Sequence, residues 1–398
     1  NRSDVPVVSS DTDTETDGAT PSATTPPATT PPATTSPATT SPATTASGSN
    51  AATPVPSSVW GAIAGDPRGA VLYPSVVWTG SEALVVGGLD RTGASVGGAA
   101  GYDPATDTWR RLADPPNGAR RINALTAWTG AEMLVIGGDN PDGSLLVSYG
   151  EAYDPELDTW RYTASPPIGF VSDRSPAVWT GHELLVWPWD GGGPTMPITP
   201  IAYDPITDTW RELPQPPVER RQRAASVWTG TEWVVWGGTT GELELADGAA
   251  YDPDTDTWRV IAEAPLSARR VRSVWTGSEM IVQAGSSGGD RVTGNGEFAH
   301  ADGAAYDPAT DTWRQLISGA AHPGNVPVWT GRFVLVFAKG GAAVYDVAAD
   351  RWLDGDCCPG SAPGGGVGTP VWAGTQALLL GSDAPDVGGA TFTPPASP

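Results

Sequence analysis

The sequence predicts an all-β, seven-bladed propeller of four-stranded antiparallel blades, closed by an N-terminal strand and preceded by a disordered Thr/Pro-rich tail. Three observations predict it. Two signatures, a valine-rich run ending in Trp-Thr-Gly and the string YDPxxDTW, alternate at intervals of roughly fifty residues, the length of one four-stranded blade. The segments between Gly and Pro punctuation are short and β-rich, with no helical period. The C-terminal unit lacks a fourth strand, and the stretch VPSSVWGAIAGDP near the N-terminus resembles one.

Residues 1–52 are almost all Thr, Pro, Ala, Ser and Asp, with reiterated TTPPA and TTSPA blocks. So little apolar surface cannot offset the entropy of ordering the chain, so this segment is expected to be a disordered stalk or linker, of a composition that can carry O-glycans outside cells.

The propeller is expected over residues 53–398. Trp-Thr-Gly occurs at Trp78, Trp128, Trp179, Trp228, Trp275 and Trp329, with Trp-Ala-Gly at Trp372. YDPxxDTW begins at Tyr102, Tyr153, Tyr203, Tyr251 and Tyr306, with the worn copy YDVAADRW at Tyr345. In each unit the first strand ends at the tryptophan and Thr-Gly makes the hairpin into the second strand. That strand closes on a glycine pair such as Gly87-Gly88, a sign of a bulge or a close backbone approach. After a loop of variable length come a third strand, AAYDP, and a fourth, TWRRL. Pro104 cannot donate to a ladder and so ends the third strand, the Asp and Thr side chains can bond amides within the turn, and Trp109 supplies a large apolar plate for the wedge between blades. Aligning Trp60 with Trp109 completes the seventh blade and removes two free sheet edges.

On these signatures residues 53–398 resemble a bacterial secreted kelch-repeat β-propeller, similar in architecture to the central domain of galactose oxidase. That enzyme's copper site uses two histidines and two tyrosines, one tyrosine bonded to a cysteine. No comparable constellation is legible in this sequence, so copper oxidase activity is not expected and no cofactor or metal is assigned. The resemblance fixes the repeat class and not an activity, because propellers serve as enzymes, adhesins and scaffolds alike.

A net charge of −23, with Lys339 the only lysine, argues against a nucleic-acid partner, whose phosphates need clustered cations. No window approaches eighteen consecutive apolar residues. The chain starts at Asn1 rather than methionine, which suggests a mature or trimmed form with a signal or a membrane or cell-wall anchor upstream; an extracellular or cell-envelope location and a monomeric state are expected.

In this strand order the second-to-third and fourth-to-first loops emerge on one face around the channel mouth, and their varied lengths mark the expected binding face. The longest, Ser286 to Asp302, carries Arg291, Glu297, His300 and Asp302 and lies beside the loop bearing His322. These are candidates for ligand contact; a metal held by the two histidines competes with plain solvated loop residues. Trp189 and Asp190 stand past a strand end, either as a sugar-stacking platform or as a tryptophan folded back onto its blade. Arginine pairs precede three first strands, and Arg121, Arg221 and Arg270 are candidates to line the mouth, against the alternative that they pair with repeat carboxylates. The YDPxxDTW aspartates read as turn caps rather than calcium ligands. Cys357 and Cys358 are adjacent; their Cα atoms, about 3.8 Å apart across a trans peptide, fall below the roughly 4.4 Å usual minimum, so a disulfide between them would be strained.

Function divides three ways: an extracellular recognition or scaffolding module binding a carbohydrate or protein partner through the variable face, a carbohydrate-active oxidase-like or epimerase-like enzyme with its site on that face, or a spacer. No nucleophile elbow, phosphate loop or HExxH motif is present, and no catalytic residue is assigned.

Overall fold

The computed structural model describes residues 59–398 apart from 117–120, 140–148, 168, 190–198, 289–296, 320–325, 339–340, 354–361, 364–367, 385 and 396–398. The tail and the candidates Asp190, Arg291, His322, Cys357 and Cys358 lie outside the described residues. Among the described residues there are seven four-stranded antiparallel sheets and one small two-stranded sheet. In blade 1 the strands run Ser75–Trp78, Ala83–Val86, Ala99–Asp103 and Thr108–Arg111, from innermost to outermost. Blades 2 to 6 repeat this order along the chain. Blade 7 joins Thr369–Trp372, Ala377–Leu380 and Val387–Thr393 to the N-terminal strand Val59–Ala64. Trp60 pairs with Phe392 as Trp109 pairs with Tyr102, so the alignment of Trp60 with the other outer-strand tryptophans holds. The innermost strands touch in succession around the ring, and that of blade 7 touches that of blade 1, which closes it.

The second strands, ALVV, MLVI, LLV, WVVW and ALLL, are buried throughout because a sheet covers them on both sides. Their side chains form the cores between blades, where Trp187, Trp233 and Trp236 are fully buried.

The YDPxxDTW turn has a division of labour that its spacing alone does not reveal. Asp103 caps the turn, accepting the Ala105 amide (2.8 Å) and the Thr106 hydroxyl (2.9 Å). Asp107 takes a left-handed conformation (φ 52°), and its carboxylate receives both the Tyr102 hydroxyl (2.9 Å) and the Ala64 amide of the neighbouring blade (3.0 Å). Asp158, Asp208 and Asp311 repeat this reach to the amides of Ala113, Ala164 and Ala262. The expectation of bonds within the turn therefore holds for the first aspartate, while the second is a link across the blade boundary. The Trp109 indole joins it, donating to the Ala64 carbonyl (2.8 Å), as Trp160, Trp210, Trp258 and Trp313 do one blade further on each time.

A third link is an arginine clamp. Arg110 forks onto Glu82 of its own blade (2.7 and 2.9 Å) and reaches the Tyr153 hydroxyl of the next (3.5 Å). Arg161, Arg211, Arg259 and Arg314 likewise fork onto Glu132, Glu183, Glu232 and Glu279. Each also interacts with the next blade's motif tyrosine, Tyr203, Tyr251, Tyr306 and Tyr345 in turn. Burial and the adjacent aspartate together push the Tyr153 phenol up to about 12. At the opposite end of the blade, the glycine pair permits a close approach: Gly238 (φ 91°) donates to the Arg269 carbonyl of the next blade (2.7 Å), and a Cβ there would stand 2.6 Å from the Gln222 carbonyl.

Candidate functional site at the channel mouth

The first residues of the inner strands converge on the mouth of the central channel, and a backbone collar holds them. The Asp173 amide donates to the Asn123 carbonyl (2.8 Å), Arg223 to Arg174 (2.7 Å) and Val271 to Arg223 (2.9 Å), each bond crossing from one blade to the one before. Asn123 and Arg223 sit in the left-handed region (φ 54° and 53°), a strained state for non-glycine residues that persists where surrounding structure over-determines it.

Inside this collar lies a cleft of about 170 Å³ lined by Asp173, Arg174, Arg223 and Arg272, with Leu125 and Val326 as apolar walls. Arg272 holds one oxygen of Asp173 (3.3 Å); among the described residues the other oxygen, Oδ1, is buried without a hydrogen-bond partner. Burial pushes the Asp173 carboxyl above its ordinary value, and Arg272 and Arg174 only partly counter this. Arg174 lies 3.8 Å from Asp139, whose carboxylate also accepts from Asn123 (2.8 Å). Three guanidiniums thus meet at one opening of a chain whose net charge is −23, beside a carboxylate oxygen in need of a donor. Such a mouth can take an anion on its forked donors and a hydroxyl or ammonium on Asp173.

The arginines singled out from sequence sit elsewhere. Arg121 and Arg221 are 3% and 2% exposed and pair within their own blades, with Glu151 and with Asp247 (3.1 Å). Both donate to the carbonyl ending their blade's second strand, Gly137 and Gly237. In blade 5 that place belongs to Arg269, which bonds Ala284 and Asp302, because the loop there is one residue shorter. Arg270, also buried, donates to the Gly288 carbonyl and faces Glu244 of blade 4 at 3.8 Å. These guanidiniums brace the loops and do not face the opening.

His300 follows a short hairpin, Ser286–Gly288 with Glu297–Ala299, in what reads from sequence as plain loop. Its Nε2 lies 2.8 Å from the Ser287 hydroxyl, and burial, with Arg269 nearby, lowers its pKa. Among the described residues no three His, Cys, Asp or Glu side chains are grouped to hold a metal ion. Trp189 is half-buried, bridged to Phe170 on blade 3, with the Arg220 guanidinium 5.4 Å over its ring and Gly241 of blade 4 at its edge.

Sequence reasoning passed over Asp173, Arg174, Arg223 and Arg272. One column of the repeat carries the signal: the position five before the Trp-Thr-Gly tryptophan holds Tyr73, Asn123, Arg174 and Arg223. In blade 5, one residue shorter, the equivalent place falls on Val271, so Arg272 carries no such signal.

A family model of the Kelch motif matches residues 129–167, from the hairpin of blade 2 through its outermost strand. The chain is a seven-bladed β-propeller that carries a Kelch motif in its second blade. No curated protein matches it. Among solved structures, that of YjhT is similar to this propeller with a TM-score of 0.52 and 16% identity, covering 73% of this chain and 99% of that one. At that identity the likeness speaks to the fold alone.

Proposed function

We propose that this protein is a recognition module, outside the cell or in its envelope, that binds an acidic carbohydrate or an acidic protein surface through the variable face of the ring. The arginine cluster at the channel mouth carries this reading. It sits on the face where the loops differ from blade to blade, it is held by the interblade collar, and it concentrates cations in an otherwise acidic chain. The Trp189–Arg220 pair on the same face offers a stacking surface next to a cation. Kelch propellers act in general as scaffolds for protein binding, which agrees with a binding rather than a catalytic use of the mouth.

The test is a thermal-shift and calorimetric screen of the chain against uronic-acid and sulfated glycans, their neutral counterparts and acidic peptides. An acidic ligand at a hundred times its dissociation constant should stabilise the fold by about 2.7 kcal/mol. Arg272→Ala and Arg174→Ala should weaken that binding about tenfold each, as expected for lost charge-assisted hydrogen bonds. Equal binding of acidic and neutral ligands, or binding untouched by both substitutions, would remove the mouth from the account.

A further inference from the structure

The two boundaries that flank blade 7 both lack the arginine clamp, and they lack it differently. Register places Leu353 of blade 6 and Gly61 of blade 7 where Arg110 stands in blade 1, and Phe392 of blade 7 where Tyr102 stands. Between blades 6 and 7, therefore, the arginine and the tyrosine are lost together: Leu353 and Phe392 pack in one apolar cluster with Trp60. Between blades 7 and 1 only one half is lost. Gly61 replaces the arginine and Gln376 the glutamate, while blade 1 keeps the motif tyrosine, which meets a guanidinium at every clamped boundary, and the aspartate bonded to it.

The other boundaries show what those groups are for. At them a guanidinium lies against the tyrosine hydroxyl (3.2 Å for Arg259 and Tyr306); Arg259 also lies 3.4 Å from the second motif aspartate, Asp311, and Arg161 donates to the motif proline's carbonyl at Pro205 (3.4 Å). At the boundary of blades 7 and 1 the equivalents are Tyr102, Asp107 and Pro104, and no arginine of the chain occupies the equivalent place among the described residues. A groove of about 740 Å³ opens beside it on the short-turn face, lined by Asp103, Pro104, Trp109, Thr375 and Gln376, with the Arg110–Glu82 fork of blade 1 along one wall.

We infer that this groove receives an arginine side chain from a partner protein, set down where the chain supplies its own arginine at five other boundaries. The groove lining offers acceptors of the kind a planar, forked cation satisfies, namely the Asp103 carboxylate, the Pro104 carbonyl and the Gln376 amide oxygen, with the Trp78 and Trp109 indoles beside them; Tyr102 and Asp107, bonded to each other, stand outside that lining. The charge of the chain favours a basic partner on this face. The site lies on the face opposite the channel mouth and does not depend on the ligand proposed for it.

Isothermal titration of the whole chain with the peptide Ac-Gly-Arg-Gly-NH2, and with its citrulline and lysine counterparts, tests the inference. Saturable binding of the arginine peptide is expected, with the neutral citrulline peptide at least about tenfold weaker, as the loss of charge assistance implies. Gln376→Glu, which restores the carboxylate of the clamp, should tighten arginine binding about tenfold. Filling the groove from within by Gly61→Arg should abolish binding; it is paired with Thr391→Gly because a Cβ at residue 61 would meet the Thr391 hydroxyl at 2.5 Å. Arg272→Ala at the channel mouth should leave peptide binding unchanged. Equal affinity for citrulline or for lysine, or no saturable binding by the wild-type chain or by Gln376→Glu, overturns the inference. Self-association abolished by Gly61→Arg with Thr391→Gly would overturn it in favour of a second copy of this chain.

Discussion

The boundaries between blades 1 and 6 and the two that flank blade 7 solve the same packing problem with different chemistry. Each of the five clamped boundaries stacks an indole in the wedge, ties the second motif aspartate to the neighbouring tyrosine, and bridges the blades with an arginine fork. Blade 7, assembled from both ends of the folded region, keeps the apolar wedge at Trp60 but has Gly61 in place of the arginine and Phe392 in place of the tyrosine. The difference separates what a propeller needs from what it can trade: apolar wedges recur at every boundary, and polar bridges do not.

Removing a wedge should therefore produce the largest effect. Trp160→Ala deletes a half-buried indole and its bond to Ala113, and should cost about 3–5 kcal/mol, read from the denaturant midpoint. A cost below about 1 kcal/mol would mean that the polar bridges carry the boundary, and the comparison would fail.

A finer test lies within the clamped set. Asp208 receives both the Tyr203 hydroxyl (2.7 Å) and the Ala164 amide (2.8 Å), whereas Asp256 receives the Tyr251 hydroxyl (2.6 Å) but faces Pro214, which has no amide to give. Asp208→Ala should be more destabilising than Asp256→Ala by about 1 kcal/mol, the usual worth of one such bond. The same chemistry sets a pH dependence. The Ala113 amide and the Tyr153 hydroxyl hold the Asp158 carboxyl below its ordinary value of 3.8, so its stabilisation is present above that pH and is lost as the pH falls through the lower folded-state value. Hydrogen exchange on acidification should accordingly quicken at the boundaries that Asp158 and Asp311 tie, while the Leu353–Phe392 contact, with no titrating group in its cluster, stays as it was.

The smallest effect belongs to the forks. Arg161→Ala removes a clamp whose guanidinium is 36% exposed, and should cost no more than about 1 kcal/mol.

Much of this fold is legible in the sequence because its rules are local and repeated: a Trp-Thr-Gly hairpin, a proline that ends a strand, and a tryptophan whose recurrence marks each wedge. The alignment of Trp60 with Trp109 could be made because an unfilled fourth strand leaves an open sheet edge. The mouth was less legible. Arg121 and Arg221 catch the eye as members of conspicuous pairs, yet their side chains turn inward to cap strand ends; Arg174, Arg223 and Arg272 belong to no conspicuous motif and become neighbours only when three successive blades are bent around one axis. The role of the second motif aspartate was hidden for a similar reason, since its partner amide lies about forty-five residues away in the chain and is nothing more than a backbone position.

The N-terminal strand also has a mechanical consequence. Val59 to Ala64 pair with the last strand along their whole length, so tension entering at Val59 along the strand axis loads these hydrogen bonds together in shear instead of peeling them one at a time. A ring sewn shut in this way resists a pull at its N-terminal strand better than its modest count of closing bonds suggests, and when it does yield, blade 7 should part first and leave the five forked boundaries intact.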